Sequence, residues 1–335
     1  MSEMLLEVKD LRVAFNTASG TVNALNGVSL DIMKNESVGI VGESGCGKSV
    51  TARAIMRILE KNSVMTGSVK LYSDNGMTEI SALPTESEEM RKVRGGKIAM
   101  IFQEPMSSLC PVYTVGNQLN EAIRLHRDVD KTQSSEIAID YLRRVGISRP
   151  EKLMNDYPYQ LSGGMRQRVV IAMAVSCNPS LLIADEPTTA LDVTVSAQIL
   201  ALLHDLQQSQ DMAVMMINHS LGIVAQSCTR VMVMYLGMII ETASVDELFS
   251  HPKHPYTVDL LNSIPKLNLN KGSRLAHIKG HVPDPFNIPK GCTYHTRCRF
   301  SKKGICDEQI PAVNQVNDGH FVQCYKYSEH AKLWE

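Results

Sequence analysis

Short runs of consecutive apolar residues recur through the first 250 residues of the chain, and stretches with a helical pattern separate them. A run that is apolar at every position predicts a strand covered on both faces, as in a mainly parallel sheet. Between two of these runs, apolar residues from Leu191 to Leu206 recur at helical spacing and predict a helix whose stripe packs in the core. The alternation predicts an α/β fold, with buried strands at 37–41, 98–102, 181–184 and 213–217.

Two parts of the chain depart from this alternation. Residues from about 105 to 178 are rich in helical pattern, which predicts an inserted helical subdomain. After His251, prolines punctuate a segment with little periodicity. A hairpin is predicted just before that change, with strands at 231–234 and 238–241. We therefore expect an α/β domain over residues 1–250 and a small extension over 251–335.

Composition narrows the class of protein. The 335 residues are 44% hydrophobic and 21% charged, which excludes a disordered chain and allows a sizeable core. The net charge of −1 argues against a nucleic-acid partner, because a general nucleic-acid binder carries a surplus of lysine and arginine. No apolar stretch reaches about 18 residues, and the N-terminus lacks the pattern of an export signal. We expect a protein of the cytosol.

Residues 42–49, Gly-Glu-Ser-Gly-Cys-Gly-Lys-Ser, fit the phosphate-loop pattern G-x-x-x-x-G-K-[ST]. They stand between a predicted strand and a helix, which is the context that the motif requires and which disfavours a glycine-rich turn without a ligand. Backbone N–H groups would surround a phosphate, Lys48 would add charge at the β- and γ-phosphates, and the Ser49 hydroxyl would bind Mg²⁺. The predicted nucleotide contacts are Gly42, Ser44, Gly45, Cys46, Gly47, Lys48, Ser49 and Thr51.

Two carboxylates, Asp185 and Glu186, follow the apolar run 181–184. The end of such a strand lies at the edge of the sheet where ligands bind. Asp185 would hold Mg²⁺ through water, and Glu186 would polarise the attacking water. An Asp-Glu pair alone could be an ordinary surface pair, but together with the phosphate loop it predicts a site for ATP and Mg²⁺.

Residues 161–164, Leu-Ser-Gly-Gly, form the motif typical of ATP-binding cassette (ABC) proteins. The chain resembles an ABC ATPase over about residues 4–250, since Gln103, Asp192 and His219 stand where that family places its Q-loop, D-loop and switch histidine. The resemblance implies that Gln103 and His219 act with Glu186 in catalysis and that Gln103 also contacts Mg²⁺. It assigns Asp192 to the nucleotide site and stacks Phe15 on adenine; the alternative for Phe15 is a buried strand aromatic.

The turn at Ser162, Gly163 and Gly164 opens a predicted helix. Its N–H donors form a second anion site, in addition to the phosphate loop. A second anion site in one chain suggests an active site shared with another chain. The resemblance implies the same arrangement: two cassettes dimerise head to tail, and residues 162–164 of one close over ATP bound to the other.

The segment 251–257, His-Pro-Lys-His-Pro-Tyr-Thr, and the cysteine-containing region after it resemble the C-terminal extension of oligopeptide/dipeptide-type ABC importers. The resemblance implies an ATPase that powers peptide import from the cytoplasmic face of the inner membrane. Its partners would be a paralogous ATPase, two transmembrane permease subunits and an extracytoplasmic solute-binding protein. The alternatives are an importer of nickel or another small solute, a soluble cassette ATPase, and a module that holds ATP without hydrolysing it.

Four cysteines near the end of the chain lack the close C-x₂₋₄-C pairs that zinc sites usually contain. Wider, unequal loops suit a larger cluster, and four thiolates are the common ligand set of [4Fe–4S]. His295 lies between the first two cysteines and keeps a zinc site as one alternative; free or disulfide-bonded cysteines are the other. We predict a structural or regulatory [4Fe–4S] cluster on Cys292, Cys298, Cys306 and Cys324.

Overall fold

The computed structural model describes residues 3–74, 76–104, 108–189, 191–264 and 278–334. The chain divides into two compact units. The first unit comprises residues 1–6, 32–37 and 71–217, and the second comprises residues 7–31, 38–70 and 218–335. The predicted domain boundary at residue 250 rests on the prolines and the weak periodicity of the sequence after His251, and it stays a prediction.

The described residues contain strands and helices in the alternating order that the sequence predicts. The strands are β1 (Met4–Thr17), β2 (Gly20–Met33), β3 (Ser37–Val41), β4 (Ser63–Ser73), β5 (Gly76–Glu79), β6 (Ile98–Ile101), β7 (Leu181–Asp185), β8 (Ala213–Ile217), β9 (Arg230–Tyr235), β10 (Met238–Ser244), β11 (Asn314–Asn317) and β12 (His320–Val322). The helices are α1 (Lys48–Ile55), α2 (Glu88–Val93), α3 (Val115–His126), α4 (Lys131–Arg144), α5 (Pro150–Leu153), α6 (Gly163–Val175), α7 (Val193–Gln210), α8 (Leu221–Ser227), α9 (Val245–Ser250) and α10 (Pro255–Asn262).

In the first unit, β6, β7 and β8 form parallel neighbours with β7 in the middle. Leu181 pairs with Ile98 on one side and with Ala213 on the other, so the three strands end at one edge. Every residue of β7 and β8 is buried, which explains why these strands are apolar at nearly every position.

Helices α3 to α6 occupy the helix-rich region of the first unit, and polar caps fix their starts. Thr114 accepts a hydrogen bond from Asn117 N at the start of α3, and Asp130 caps α4 in a capping box with Gln133. Residues 105–107 of the predicted helical insertion lie outside the described residues.

In the second unit, β2, β1 and β4 are consecutive neighbours in one sheet, and β11, β12, β10, β9 and β3 are consecutive neighbours in another. Strands β9 and β10 are antiparallel and confirm the predicted hairpin. Its turn contains Leu236 and Gly237, both at positive φ. Strand β12 pairs with β10, with Glu241 opposite Val322. The C-terminal extension therefore adds strands to the sheet that also holds β3.

Three buried tyrosines connect the extension to the rest of the second unit. The rings of Tyr235 on β9 and Tyr256 on α10 are 4.7 Å apart between centroids, and Tyr294 lies 5.3 Å from Tyr235 and 5.4 Å from Tyr256. All three side chains are almost fully buried. Because buried aromatic rings contribute large apolar areas, this cluster anchors the cysteine-containing segment in the core.

Among the described residues, no helix has both the length and the apolar character needed to cross a membrane.

Candidate nucleotide-binding site

The residues predicted to bind ATP are divided between the two units. The phosphate loop, Phe15 and His219 belong to the second unit. Gln103, Asp185, Glu186, Asp192 and the turn at 162–164 belong to the first.

The phosphate loop curls between β3 and α1, and two of its glycines have no room for a side chain. A Cβ at Gly42 would lie 2.2 Å from the carbonyl oxygen of Met234, and one at Gly47 would lie 2.8 Å from that of Ala24. Gly47 also has φ 109°, which favours glycine. The carbonyl of Cys46 accepts a hydrogen bond from Gly237 N, so the β9–β10 turn contacts the phosphate loop and stabilises it.

Two side chains of α1 stabilise the loop from inside. Lys48 is only 6% exposed, and its Nζ lies 2.9 Å from the Gly42 carbonyl and 3.0 Å from the Glu43 carbonyl. Thr51 donates to the Gly47 carbonyl at 3.0 Å. Ser44 and Gly45 are exposed and Ser49 is half-buried, so these three remain accessible to a ligand.

Cys46 points away from solvent within the loop. Its thiol lies 3.7 Å from Lys48 Nζ, but burial raises its pKa more than the lysine lowers it. A thiol that stays protonated is a poor nucleophile and a poor target for oxidation. This environment supports a contribution of Cys46 through its backbone alone.

The carboxylate of Glu186 is held in place by two donors in the first unit. Gln103 Nε2 donates to Glu186 Oε2 at 3.1 Å, and the Thr189 hydroxyl donates to the same oxygen at 2.9 Å. Glu186 has φ 48°, an unfavourable conformation for a side chain of this size, and its N–H donates to the Ile217 carbonyl. Asp185, just before it, is 2% exposed at the end of β7.

The structure therefore brings together Gln103 and Glu186, to which the family resemblance gives a joint role in catalysis. Thr189 was missed by the sequence reasoning. The available signal was its position three residues after Glu186, within hydrogen-bond reach once the chain turns at the end of the strand.

The turn at 162–164 begins α6, and Ser162 caps it by accepting a hydrogen bond from Met165 N at 3.3 Å. One of the N–H donors at this helix start is therefore already used. A Cβ at Gly164 would meet Val195 at 3.0 Å, so the glycine allows close packing against α7. Asp192 caps α7 by accepting from Val195 N at 2.9 Å. The nucleotide contacts of these residues stay predictions.

His219 and Phe15 lie on the second unit. His219 is exposed in the loop after β8, where Asn218 Oδ1 accepts a hydrogen bond from Ser220 N at 2.8 Å and shapes that loop. Phe15 is half-buried on β1. Their roles as switch histidine and adenine platform stay predictions.

Comparison with known families agrees with these features. Residues 25–189 match the family model of the ABC transporter, and residues 240–306 match that of the oligopeptide/dipeptide transporter, C-terminal region. The chain belongs to the ABC transporter ATPases. It carries both the cassette and the extension of the oligopeptide/dipeptide branch, which confirms the resemblance found in the sequence.

Individual relatives match over nearly the full length of this ABC ATPase. The dipeptide transport ATP-binding protein DppD of Bacillus subtilis is 45% identical over 335 residues, covering 99% of this chain and 98% of the relative. The oligopeptide transport ATP-binding protein AppD of the same organism is 45% identical and covers 97% of each chain. A dimeric ATP-binding cassette in a post-hydrolysis state bound to ADP and Pi superposes with a TM-score of 0.62 at 27% identity, covering 72% of this chain and 99% of that one. The predicted α/β cassette fold is confirmed.

The four cysteines of the extension line one cavity of the ABC ATPase, together with His254 and His295. Burial raises the pKa of Cys292 to about 12 and that of Cys324 to about 11, and repulsion from the neighbouring thiolates adds to the effect. Nevertheless, no group of three or more histidine, cysteine, aspartate or glutamate residues in the described part of the chain could hold a metal ion. This finding supports neither the predicted [4Fe–4S] cluster nor the zinc alternative, and both stay predictions.

His254 supplies an unsatisfied donor in the wall of this cavity. Its Nδ1 accepts from Tyr256 N at 3.1 Å, and burial lowers its pKa to about 4, so the neutral ring carries its proton on Nε2. Within the described residues, Nε2 has no hydrogen-bond partner. Because an unpaired buried donor is costly, an acceptor inside the cavity would be stabilised there.

Proposed function

We propose that this chain is the ATP-hydrolysing subunit that powers peptide import through a membrane transporter. The observation that carries the proposal is the match of both the cassette and the extension, over nearly the whole chain, to ATP-binding proteins of dipeptide and oligopeptide transport. The intact set of ATPase residues supports hydrolysis rather than simple retention of ATP.

The proposed mechanism gives the residues of the site the following tasks in phosphoryl transfer. Lys48 and the loop N–H groups bind the β- and γ-phosphates, and Glu186 accepts a hydrogen bond from the attacking water and orients it. Gln103 and Thr189 keep the Glu186 carboxylate in position, and His219 contacts the γ-phosphate.

Magnesium suits the donor set assigned to it. The Ser49 hydroxyl, the Asp185 carboxylate and the Gln103 amide offer oxygen atoms, which are the ligands that Mg²⁺ prefers. When bound, the ion neutralises charge that develops on the transferred phosphoryl group.

The partners follow from the same proposal. A second, paralogous ATPase would place its own 162–164 counterpart over the nucleotide bound here, and two transmembrane permease subunits would receive the energy of hydrolysis. The chain would then work as a peripheral protein on the cytoplasmic face of the inner membrane, supplied by an extracytoplasmic solute-binding protein. The dimeric state of the superposed cassette supports this pairing of ATPases.

The extension is proposed to hold a [4Fe–4S] cluster on Cys292, Cys298, Cys306 and Cys324. A single ion needs its ligands to meet at one point, whereas a cluster takes one thiolate at each of four corners. Convergence of four cysteines on one cavity, with the unpaired Nε2–H of His254 in its wall, supports the cluster. When bound, it would supply cross-links among loops that have few apolar residues of their own.

The test is reconstitution of the complete transporter in lipid vesicles with its co-purifying subunits. ATP hydrolysis and uptake are measured with dipeptides, oligopeptides and nickel, and a complex with Lys48→Ala serves as the control. We expect peptides to stimulate hydrolysis and to accumulate, with both effects absent from the control. Stimulation by nickel alone would replace the peptide assignment with the metal-import alternative, and hydrolysis that no solute changes would contradict transport.

A further inference from the structure

Glu43 lies in the phosphate loop, and two residues of the C-terminal extension hold it there. Its carboxylate receives two hydrogen bonds from the Arg297 guanidinium, at 2.8 Å from Nη1 and 3.3 Å from Nη2. Its backbone N–H donates to the Tyr256 hydroxyl at 2.9 Å. Tyr256 belongs to the His-Pro-Tyr motif, and Arg297 directly precedes Cys298. Neither residue has a role in the function proposed above.

Both side chains that contact Glu43, those of Tyr256 and Arg297, are buried. The Arg297 side chain is only 3% exposed, and its guanidinium lies 5.9 Å from the ring of Tyr235 and 5.8 Å from that of Tyr294. Its Nε donates to the Lys279 carbonyl at 3.1 Å. Contact with both rings and a hydrogen bond at the opposite nitrogen restrict the orientation of the guanidinium, with its fork directed at Glu43.

The contacts bear on ATP through charge and through shape. A carboxylate beside the site of a triphosphate repels it, and the guanidinium of Arg297 neutralises that carboxylate. The Glu43 carbonyl is also one of the two carbonyls that Lys48 Nζ contacts. Fixing Glu43 at its N–H and its carboxylate therefore fixes the loop segment that positions Lys48.

We propose that Tyr256 and Arg297 are positioning residues of the phosphate loop, so that the C-terminal extension sets the affinity of the chain for ATP. The proposal rests on ATP binding by the loop and is independent of which solute the transporter carries.

The first test removes one hydroxyl. Tyr256→Phe keeps the ring but deletes the acceptor for Glu43 N–H, and Tyr294→Phe is the matched control because its hydroxyl donates to Asp259 instead. ATP affinity of the purified full-length chain is measured by calorimetry, and the melting temperature is recorded without nucleotide. We expect Tyr256→Phe to weaken ATP binding about 3- to 10-fold, as the loss of one hydrogen bond allows, while the control binds as the parent does. Equal affinities of parent and Tyr256→Phe would overturn the proposal for Tyr256.

The second test separates charge from folding. Arg297→Gln is expected to weaken ATP binding about 10-fold or more, and Arg297→Lys is expected to recover part of that loss. The control is Arg299→Gln, which changes an exposed arginine of the same segment and should leave ATP binding unchanged. In the assembled ATPase, Tyr256→Phe and Arg297→Gln should raise KM for ATP and leave kcat unchanged, because neither Tyr256 nor Arg297 touches the reacting atoms.

A double variant makes the link through Glu43 explicit. With Glu43→Gln the carboxylate that requires neutralising is gone, so adding Arg297→Gln should cost much less affinity than it does alone. Equal costs in the two backgrounds would show that Arg297 acts on folding and not through Glu43. Failure of the parent chain itself to bind ATP would instead contradict the proposed ATPase function, which keeps the two failures distinct.

Discussion

The side-chain amide of Gln103 donates a hydrogen bond to the carboxylate of Glu186, with 3.1 Å between Nε2 and Oε2. The two residues follow β6 and β7, which are parallel neighbours with Ile101 opposite Ala184. Because parallel strands end at the same edge, residues distant in sequence meet there. The arrangement orients a carboxylate whose proposed task is to hold the attacking water.

Glu186→Gln should bind ATP as the parent does while hydrolysis falls about 100-fold or more, because an amide is a much weaker acceptor for the attacking water. Lys48→Ala should instead weaken nucleotide binding itself. Binding and turnover are measured separately for both variants in the assembled ATPase. Near-normal turnover of Glu186→Gln would remove that residue from the catalytic role.

Thr189→Val should lower kcat about 3- to 10-fold without changing ATP affinity, because it deletes a hydroxyl donor to the Glu186 carboxylate and preserves side-chain shape. Thr194→Val, at an exposed position of α7, is the matched control. Steady-state kinetics across ATP concentrations give both quantities. A rise in KM at constant kcat would mean that Thr189 serves binding and not the orientation of Glu186.

Ser162→Arg should leave ATP binding by the isolated chain intact but abolish turnover in the complete complex, since a bulky cation would stand where another cassette's nucleotide is proposed to bind. Ser162 also caps α6, so Ser162→Ala is needed as a control. The alanine variant should lose about 1 kcal/mol of stability from the missing cap yet keep most of its turnover. Full transport-coupled hydrolysis with Ser162→Arg would contradict the shared site.

His320 should make the stability of the second unit depend on pH. Its side chain is fully buried, with Nε2 at 2.8 Å from Glu241 Oε1 and Nδ1 at 3.3 Å from Glu247 Oε1. Burial alone would lower its pKa, but the two carboxylates outweigh burial and raise it. The resulting stabilisation is complete below the unfolded value of about 6.5 and is lost as the pH rises through the folded pKa.

The measurement is the melting temperature from about pH 5.5 to 9, compared with that of His320→Gln, which bears no charge at any of these values. We expect the advantage of the parent over the variant to shrink as the pH rises. His254 contributes in the opposite direction, because its lowered pKa favours the unfolded chain in acid, but it is present in both proteins and cancels in the difference. An advantage that does not change with pH would show that folding leaves the pKa of His320 unshifted, and one that grows with pH would show that the folded protein holds His320 neutral.

The sequence predicted what local patterns encode. The phosphate loop and the pair Asp185–Glu186 are contiguous motifs beside buried strands, and β3 and β8 have the predicted bounds because every residue in them is buried. The residues that support these motifs could not be found in this way. Arg297 and Glu43 are 254 positions apart, and nothing in the surrounding sequence distinguishes a buried arginine from a solvated one.

The strand pairing of the C-terminal extension could not be predicted from the sequence either. Strand β12 has only three residues, too few to display an alternating pattern, and the sequence gives no indication that it pairs with β10. Its four cysteines, by contrast, could be grouped from spacing alone because few other residue types share their chemistry.

The proposed [4Fe–4S] cluster should give the protein a colour. Anaerobic purification of the full chain should yield brown material that contains iron and acid-labile sulfide, both lost in a variant with Cys298→Ser and Cys306→Ser. Cys110→Ser, at an exposed cysteine of the first unit, is the control and should keep the colour. His254→Phe should also retain iron, but its absorption or reduction potential should shift, because the Nε2–H donor in the cavity wall is gone. A colourless anaerobic preparation with tightly bound zinc would decide for a single ion, and one with no metal at all would show that the four thiols pack as ordinary buried side chains.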